Sequence, residues 1–287
     1  MHIDPARVWK TDQPRFVVVL DAELQYDHAV HARYQASERF LPSDAPTLSQ
    51  REARNDPRVT PRWPCHRISV LSWLVMTETE DGLRPIRLET RGEPEQDEAA
   101  IVTAFLADME RLGSVQVVTW GGFHSDMPQM MLAATAAGLR LPKCLTGLQS
   151  PWRRDASGHL DLMSELCGGA NPAHLAEVAA KLGIPAKLTC RPDLASKLME
   201  QGKWSAVKAV CEGDVLTTAM ILMRWRHLLG GSVSVLEATR RLTNFVVEHS
   251  QHRPYAADWA RYGQDMMREA VAREADKLAT LAPQFGN

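Results

Sequence analysis

The chain has 287 residues, 45% apolar and 24% charged, with a formal charge of -2, which suits a soluble globular protein of one large domain or two smaller ones. So balanced a charge excludes a global basic field, and any contact with nucleic acid must come from local arginine groups. MHIDPARVWKTDQP lacks the apolar core of a signal peptide, no run of about 18 apolar residues occurs, and the five cysteines are scattered without a C-x-x-C pair. These features predict a protein of the reducing cytoplasm without a membrane span, a disulfide framework or a zinc site.

In chain order, FVVVLDAEL (16 to 24) begins as a β-branched apolar run, the pattern of a strand buried on both faces. Residues 27 to 64 are polar and carry Pro42, Pro46, Pro57, Pro61 and Pro64, which predicts an extended loop. Segments 66 to 78 and 83 to 90 flank Asp81-Gly82 and predict an antiparallel hairpin. Residues 93 to 112 have helical spacing, 114 to 120 return to strand character, and a helix is expected over 127 to 138. A short strand follows at 159 to 162, then a helix opened by Asn171-Pro172 and closed at Gly183, then a long helix over 204 to 229. Gly230-Gly231 breaks that helix, Ser234 and Glu237 offer a capping box for a helix to about 248, and a last helix covers 257 to 280. The order predicts an α/β domain over 1–229 and a helical C-terminal extension over 230–287. Its stripe of Val233, Leu236, Leu242, Phe245 and Val246 is expected to pack on that domain or on a second subunit.

The acids carry the chemistry. Asp21 and Glu23 project from one face of the first strand, because side chains alternate. Either the strand emerges into solvent there, or a cation sits between two carboxylates that otherwise repel; hard oxygen ligands suit Mg²⁺ or Mn²⁺. Asp214 lies in KWSAVKAVCEGDVLTTAMILMRW, a helix apolar on nearly every side, so it is either a solvated acid or one held beside a charged site. Glu212, one turn from Lys208, reads as a surface ion pair. Asp126 follows a strand and a glycine turn in VTWGGFHSDMPQM, where an acid in the first helical turn also favours the helix dipole.

The ordered set FVVVLDAEL, CHRISVLS, VTWGGFHSDMPQM, HLDLMSEL, NPAHLAEVAAKLGIPAK and WSAVKAVCEGDVLTTAMILMRWRHLLGG covers about 15 to 231. It resembles the DEDD superfamily of 3'-5' exonucleases, most closely the bacterial family of predicted exonucleases related to the proofreading domain of family B DNA polymerases. The resemblance implies a ribonuclease-H-like mixed sheet flanked by helices. It also implies a two-metal phosphodiesterase for single-stranded DNA or RNA 3' ends, with Asp21, Glu23, Asp126 and Asp214 as catalytic metal ligands. Two cations about 3.5–4 Å apart stabilise the attacking and leaving oxygens in such sites. Asp21 would bridge them, Glu23 and Asp214 would complete one, and Asp126 would hold the second largely through water.

The chain departs from that family where the attacking water is oriented. The family's tyrosine four residues before the last acid is Val210 here, and the histidine that related groups carry five before is Ala209. Around the third acid, Gly121-Gly122-Phe123-His124-Ser125-Asp126 lacks the family's Asn and Phe, and Pro185-Ala186-Lys187 replaces Pro-Gly-Lys. These losses leave open a catalytically weak or inactive nuclease fold that binds nucleic acid or a partner. A hydrolase using Ser125 or Cys211 lacks any recognisable base. Substrate contacts are expected from Lys187 and from Trp152, Arg153 and Arg154, where an indole can stack on bases and guanidinium groups can hold phosphate. Arg224-Trp225-Arg226, Arg240-Arg241 and the arginines at 51, 54, 58, 62 and 67 are further candidates. His28, His31 and His124 read as surface histidines, and Asp161 as a structural or supporting acid.

Overall fold

The computed structural model describes residues 16–41, 43, 49–146, 158–186 and 192–281. Five strands, β1 (Phe16–Tyr26), β2 (His66–Thr79), β3 (Gly82–Gly92), β4 (Val115–Thr119) and β5 (His159–Asp161), form one mixed sheet in the order β3-β2-β1-β4-β5. β1 is antiparallel to β2 and parallel to β4, so the Val17–Leu20 run occupies the sheet centre and is buried on both faces. In chain order the helices are α1 (His28–Ser37), α2 (Gln50–Asn55), α3 (Glu98–Leu112), α4 (Asp126–Ala136), α5 (Leu162–Cys167), α6 (Leu175–Leu182), α7 (Pro192–Glu200), α8 (Trp204–Leu228), α9 (Val235–His249) and α10 (Ala256–Leu281). The result is a mixed parallel and antiparallel sheet flanked by helices, with helices closing the chain.

The two faces of the sheet follow from strand alternation. Val18 and Leu20 pack with Phe105 and Met109 of α3 and Met130 of α4. Val17 and Val19 face the other way, onto Val215, Leu216 and Ala219 of α8. Leu242, Phe245 and Val246 of α9 and Trp259 of α10 are buried in that second cluster too, so the C-terminal helices enlarge the core around α8.

Several elements differ from the reading of the sequence. The segment 27–64 contains two helices despite its prolines. The Asp27 side chain caps α1 by accepting from Val30 N at 2.9 Å, and Ser49 and Glu52 form a reciprocal capping box on α2. His31 is buried: its Nε2–H donates to the Pro57 carbonyl at 2.9 Å, and Nδ1 accepts from the Tyr26 hydroxyl at 2.5 Å. α6 begins at Leu175 and not at Pro172. His174 and Glu177 make its capping box, while the Ala173 carbonyl is taken by Trp120 Nε1 at 3.2 Å. Glu212 is buried, and its partner is not Lys208, which pairs with Glu95 at 2.5 Å. Instead Glu212 accepts from Arg253 at 2.5 Å and from the Tyr255 hydroxyl at 2.8 Å, which satisfies a carboxylate that burial would otherwise penalise. Burial, then the Glu212 charge, pushes the Tyr255 hydroxyl pKa up. Among the described residues no helix is long and apolar enough to cross a membrane.

Candidate metal centre

Asp21 and Glu23 continue the odd face of β1 and therefore point to the α8 side, where Asp214 projects from the neighbouring helix. One carboxylate oxygen from each of Asp21, Glu23 and Asp214 lies within 4.8 Å of the others; Asp214 is buried, while the other two are half-exposed. Packing beneath the acids sets this approach. Cys211, buried with Val70, Val207 and Met199, donates its thiol to the Asp21 carbonyl at 3.2 Å. Beside it the β1–β2 register shifts between Glu23 and Leu24, leaving Ser69 as an extra residue on β2. Such a bulge re-aims the end of a strand, and here that end carries Glu23.

Asp126 reaches the same region from the end of β4. The chain leaves Thr119 through Gly121, which takes φ +71, and Gly122, where a Cβ would sit 2.6 Å from Thr119 Cβ and 2.8 Å from Asp126 Oδ2. No side chain fits at Gly122 without moving that carboxylate. The turn is held by Asp161, whose carboxylate accepts from Gly121 N at 2.9 Å, Phe123 N at 3.1 Å and Ser164 N at 3.3 Å. Ser125 Oγ donates to Asp126 Oδ1 at 3.1 Å. Burial pushes the Asp126 pKa up to about 7; the Ser125 hydrogen bond opposes this, and the charges of Asp161 and Asp214 add to it. Asp126 therefore faces Asp214 electrostatically, in an environment that a cation would compensate. Nearby, burial lowers the pKa of His159, whose Nε2 is hydrogen-bonded to Thr119 Oγ1 at 2.9 Å.

The other candidates fall elsewhere. Trp152, Arg153, Arg154 and Lys187 lie outside the described residues; the Pro185 carbonyl, two residues before Lys187, accepts from Thr217 Oγ1 at 2.8 Å. Many of the arginines hold the fold. Arg224 donates to the Leu182 carbonyl at 2.8 Å and to the Tyr262 hydroxyl at 2.5 Å, and Arg226 pairs with Glu78. Arg240 and Arg241 both bind Glu237, Arg58 binds Asp56 and Arg67 binds Glu93. Trp225 is half-buried against the α8 core. His124 is exposed, edge-on to Phe123 with ring centroids 5.0 Å apart. Val210 and Ala209 are buried apolar residues. Burial first, and the nearby Asp21 and Glu23 second, raise the Cys211 thiol well above its ordinary pKa, so it is neither a base nor a nucleophile. Asp161, read from the sequence as a structural or supporting acid, has that position here, and its partners, the Gly121 and Phe123 amides of the turn before Asp126, are what the sequence alone does not show.

Among solved structures the chain is similar to the family B DNA polymerase from the hyperthermophilic archaeon Pyrobaculum calidifontis, at 15% identity and a TM-score of 0.45, over 82% of this chain and 29% of the polymerase. No curated protein matches it. A family described as predicted 3'-5' exonucleases related to the exonuclease domain of PolB matches residues 61–263, a stretch that contains Asp126 and Asp214, begins after Asp21 and Glu23, and runs across Gly230 into α10. More than half of the chain is matched, and the chain belongs to this family of predicted 3'-5' exonucleases.

Proposed function

We propose that the protein is a 3'-5' exonuclease acting on single-stranded DNA or RNA ends in the cytoplasm. Mg²⁺ or Mn²⁺ would be held by Asp21, Glu23 and Asp214, with Asp126 across the cleft. The observation that carries this reading is the approach of three carboxylate oxygens to within 4.8 Å of one another in a chain of this family. The donor set fits the ion: three hard oxygen donors stand together, and Cys211, a soft donor beside them, is occupied with a carbonyl. Bound there, divalent cations lower the pKa of water and neutralise charge on phosphoryl oxygens. Asp21 and Glu23 present their charge from a rigid sheet, and Asp214 presents its own from a buried helix, so little reorganisation is needed to bind. Asp126, fixed by Ser125 and by the Gly122 turn, supplies the fourth carboxylate. Residues 1–229 form the nuclease unit in this reading, and 230–287 its helical extension.

Val210 and Ala209 offer no hydrogen-bonding side chain where the family places its water-orienting group. This predicts slow turnover, and it favours one second reading, a nuclease fold that binds strands without cutting them. A 3'-end-labelled oligonucleotide incubated with Mn²⁺, Mg²⁺ or EDTA separates the two. The exonuclease releases labelled mononucleotide only with metal and loses this in Asp21→Asn. Binding of the strand with the 3' label left intact in all three conditions would replace it with the binding protein.

A further inference from the structure

α10 is bound to its own chain over its first half. Trp259 and Tyr262 are buried in the core around α8, and at Gly263 a Cβ would lie 2.7 Å from Thr243 Oγ1 of α9, so the two helices meet closely there. Farther along, every residue from Val271 to Thr280 is exposed. Large apolar side chains stand in water on this stretch: Val271 is 66% exposed, Leu278 62% and Met267, just before it, 42%. At 3.6 residues per turn Met267, Ala275 and Leu278 fall within about 40° of Val271 around the axis, so the four make one stripe. Trp259, Tyr262 and Gly263 point at least about 80° away from it, which leaves the stripe clear of the rest of the chain. So short a helical stretch is marginal in water without an apolar face packed on something else.

We infer that the stripe is covered by α10 of a second copy of the chain, in an antiparallel two-fold pair; this stands apart from the exonuclease reading, since α10 carries none of the four acids. Apolar and charged positions select the same register. With the two-fold axis at the level of Ala272, Met267 comes within one residue of the second copy's Leu278, and Val271 within two residues, about 3 Å, of its own counterpart. In that register Arg268 lies level with the second copy's Asp276. Both sit on one flank of the stripe, at about 60° and about 140° from Val271, and an antiparallel two-fold brings like flanks together. Asp276 has no ion pair in its own chain among the described residues, whereas Arg268 holds Asp265 and keeps further N–H groups for a second carboxylate. The remaining charges do not oppose the pairing, because Arg273 binds Glu269 at 3.3 Å and Lys277 binds Glu274 at 3.5 Å within the same helix. The α9 stripe of Leu242, Phe245 and Val246 is occupied by the core, so it does not compete for this role.

The test is sedimentation equilibrium of the full chain. A few apolar layers make less than a standard interface of about 1,600 Å², so the pair is expected to form over about 1 to 200 μM. Across that range the mass rises from 32.0 kDa toward twice that value. Val271→Glu sets two carboxylates against each other at the two-fold axis and holds the chain at the monomer mass, with an unchanged urea midpoint because the position is exposed. Arg268→Asp, or Asp276→Arg, weakens association about tenfold by opposing like charges, and the two reversals together return it to within about threefold of the wild type. This reversal series decides the matter should Val271→Glu lose its fold. A wild type that stays at the monomer mass up to the highest concentration overturns the pair. So does a dimer that persists in a folded Val271→Glu, since another face would then join the copies. A double reversal as weak as either single one rules out the antiparallel register and, with it, the pairing argued from it.

Discussion

Asp21→Asn is expected to shift stability in a way that depends on metal, and to do so whether or not the protein cuts nucleic acid. Oxygens of Asp21, Glu23 and Asp214 lie within 4.8 Å of one another, and two of the three side chains are half-exposed. At that distance a pair of like charges costs about 1 kcal/mol in water and about 3.5 kcal/mol at an effective dielectric of about 20. Partial exposure favours the lower end, and Asp21 faces two such neighbours, so neutralising it without metal relieves about 2 kcal/mol. A ligand at a hundred times its dissociation constant stabilises the native state by about 2.7 kcal/mol. With about 2–3 °C per kcal/mol for a chain of this size, the wild type gains about 6 °C on going from EDTA to saturating Mn²⁺. The variant melts about 5 °C above the wild type in EDTA and gains less than about 2 °C from Mn²⁺. Differential scanning calorimetry in both buffers reads all four numbers. A variant that melts lower than the wild type in EDTA, or that keeps the full Mn²⁺ increment, would refute both the charge cluster and the metal centre.

Glu212→Ala leaves Arg253 and the Tyr255 hydroxyl buried without their carboxylate, and should cost about 3–5 kcal/mol; a loss under 1 kcal/mol in urea titrations would show that the C-terminal helices are held elsewhere. Gly122→Ala drives a methyl group to 2.8 Å from Asp126 Oδ2. It is expected to abolish metal-dependent cleavage while costing only about 1–3 kcal/mol in stability, and full cleavage by this variant would remove Asp126 from the site. Val210→Tyr places a phenol one turn before Asp214 and should raise metal-dependent cleavage at least tenfold. Slower cleavage than the wild type would mean that another group already orients the water.

Periodicity carried much of the fold into the sequence. The β-branched run at 16–20 and its alternation put Asp21 and Glu23 on one face, and the apolar row around Asp214 marks α8 as buried. Distance in the chain hid the rest. Glu212 and Lys208 have the spacing of a surface pair whether or not they meet, and the true partner, Arg253, lies 41 residues away. Asn171-Pro172 has the chemistry of a helix start, but a tertiary hydrogen bond from Trp120 to Ala173 leaves His174 to make the cap. Two short helices in 28–55 were masked by the surrounding prolines, although Ser49 and Glu52 spell the capping box of one. The tie between Trp63 and α4 shows no pattern at all, since it is a hydrogen bond from Gln129, 66 residues on, to the Trp63 carbonyl.

α8 explains how Asp21, Glu23 and Asp214, scattered over nearly 200 residues, come within 4.8 Å of one another. Over Val207–Met223 it is buried almost throughout, so its rotation about its own axis is set from both sides. On the sheet side Cys211 reaches the Asp21 carbonyl, and Asp214 follows less than one turn later toward the same strand. On the other side Glu212, adjacent to Cys211, is gripped by Arg253 and Tyr255 between α9 and α10. Turning α8 to move Asp214 away from Asp21 would pull Glu212 from both partners, at a cost comparable to breaking a buried ion pair. Among the described residues the segment joining α9 and α10 adds no carboxylate to the cluster, yet through Glu212 it helps hold three like charges at a separation that repulsion alone would widen.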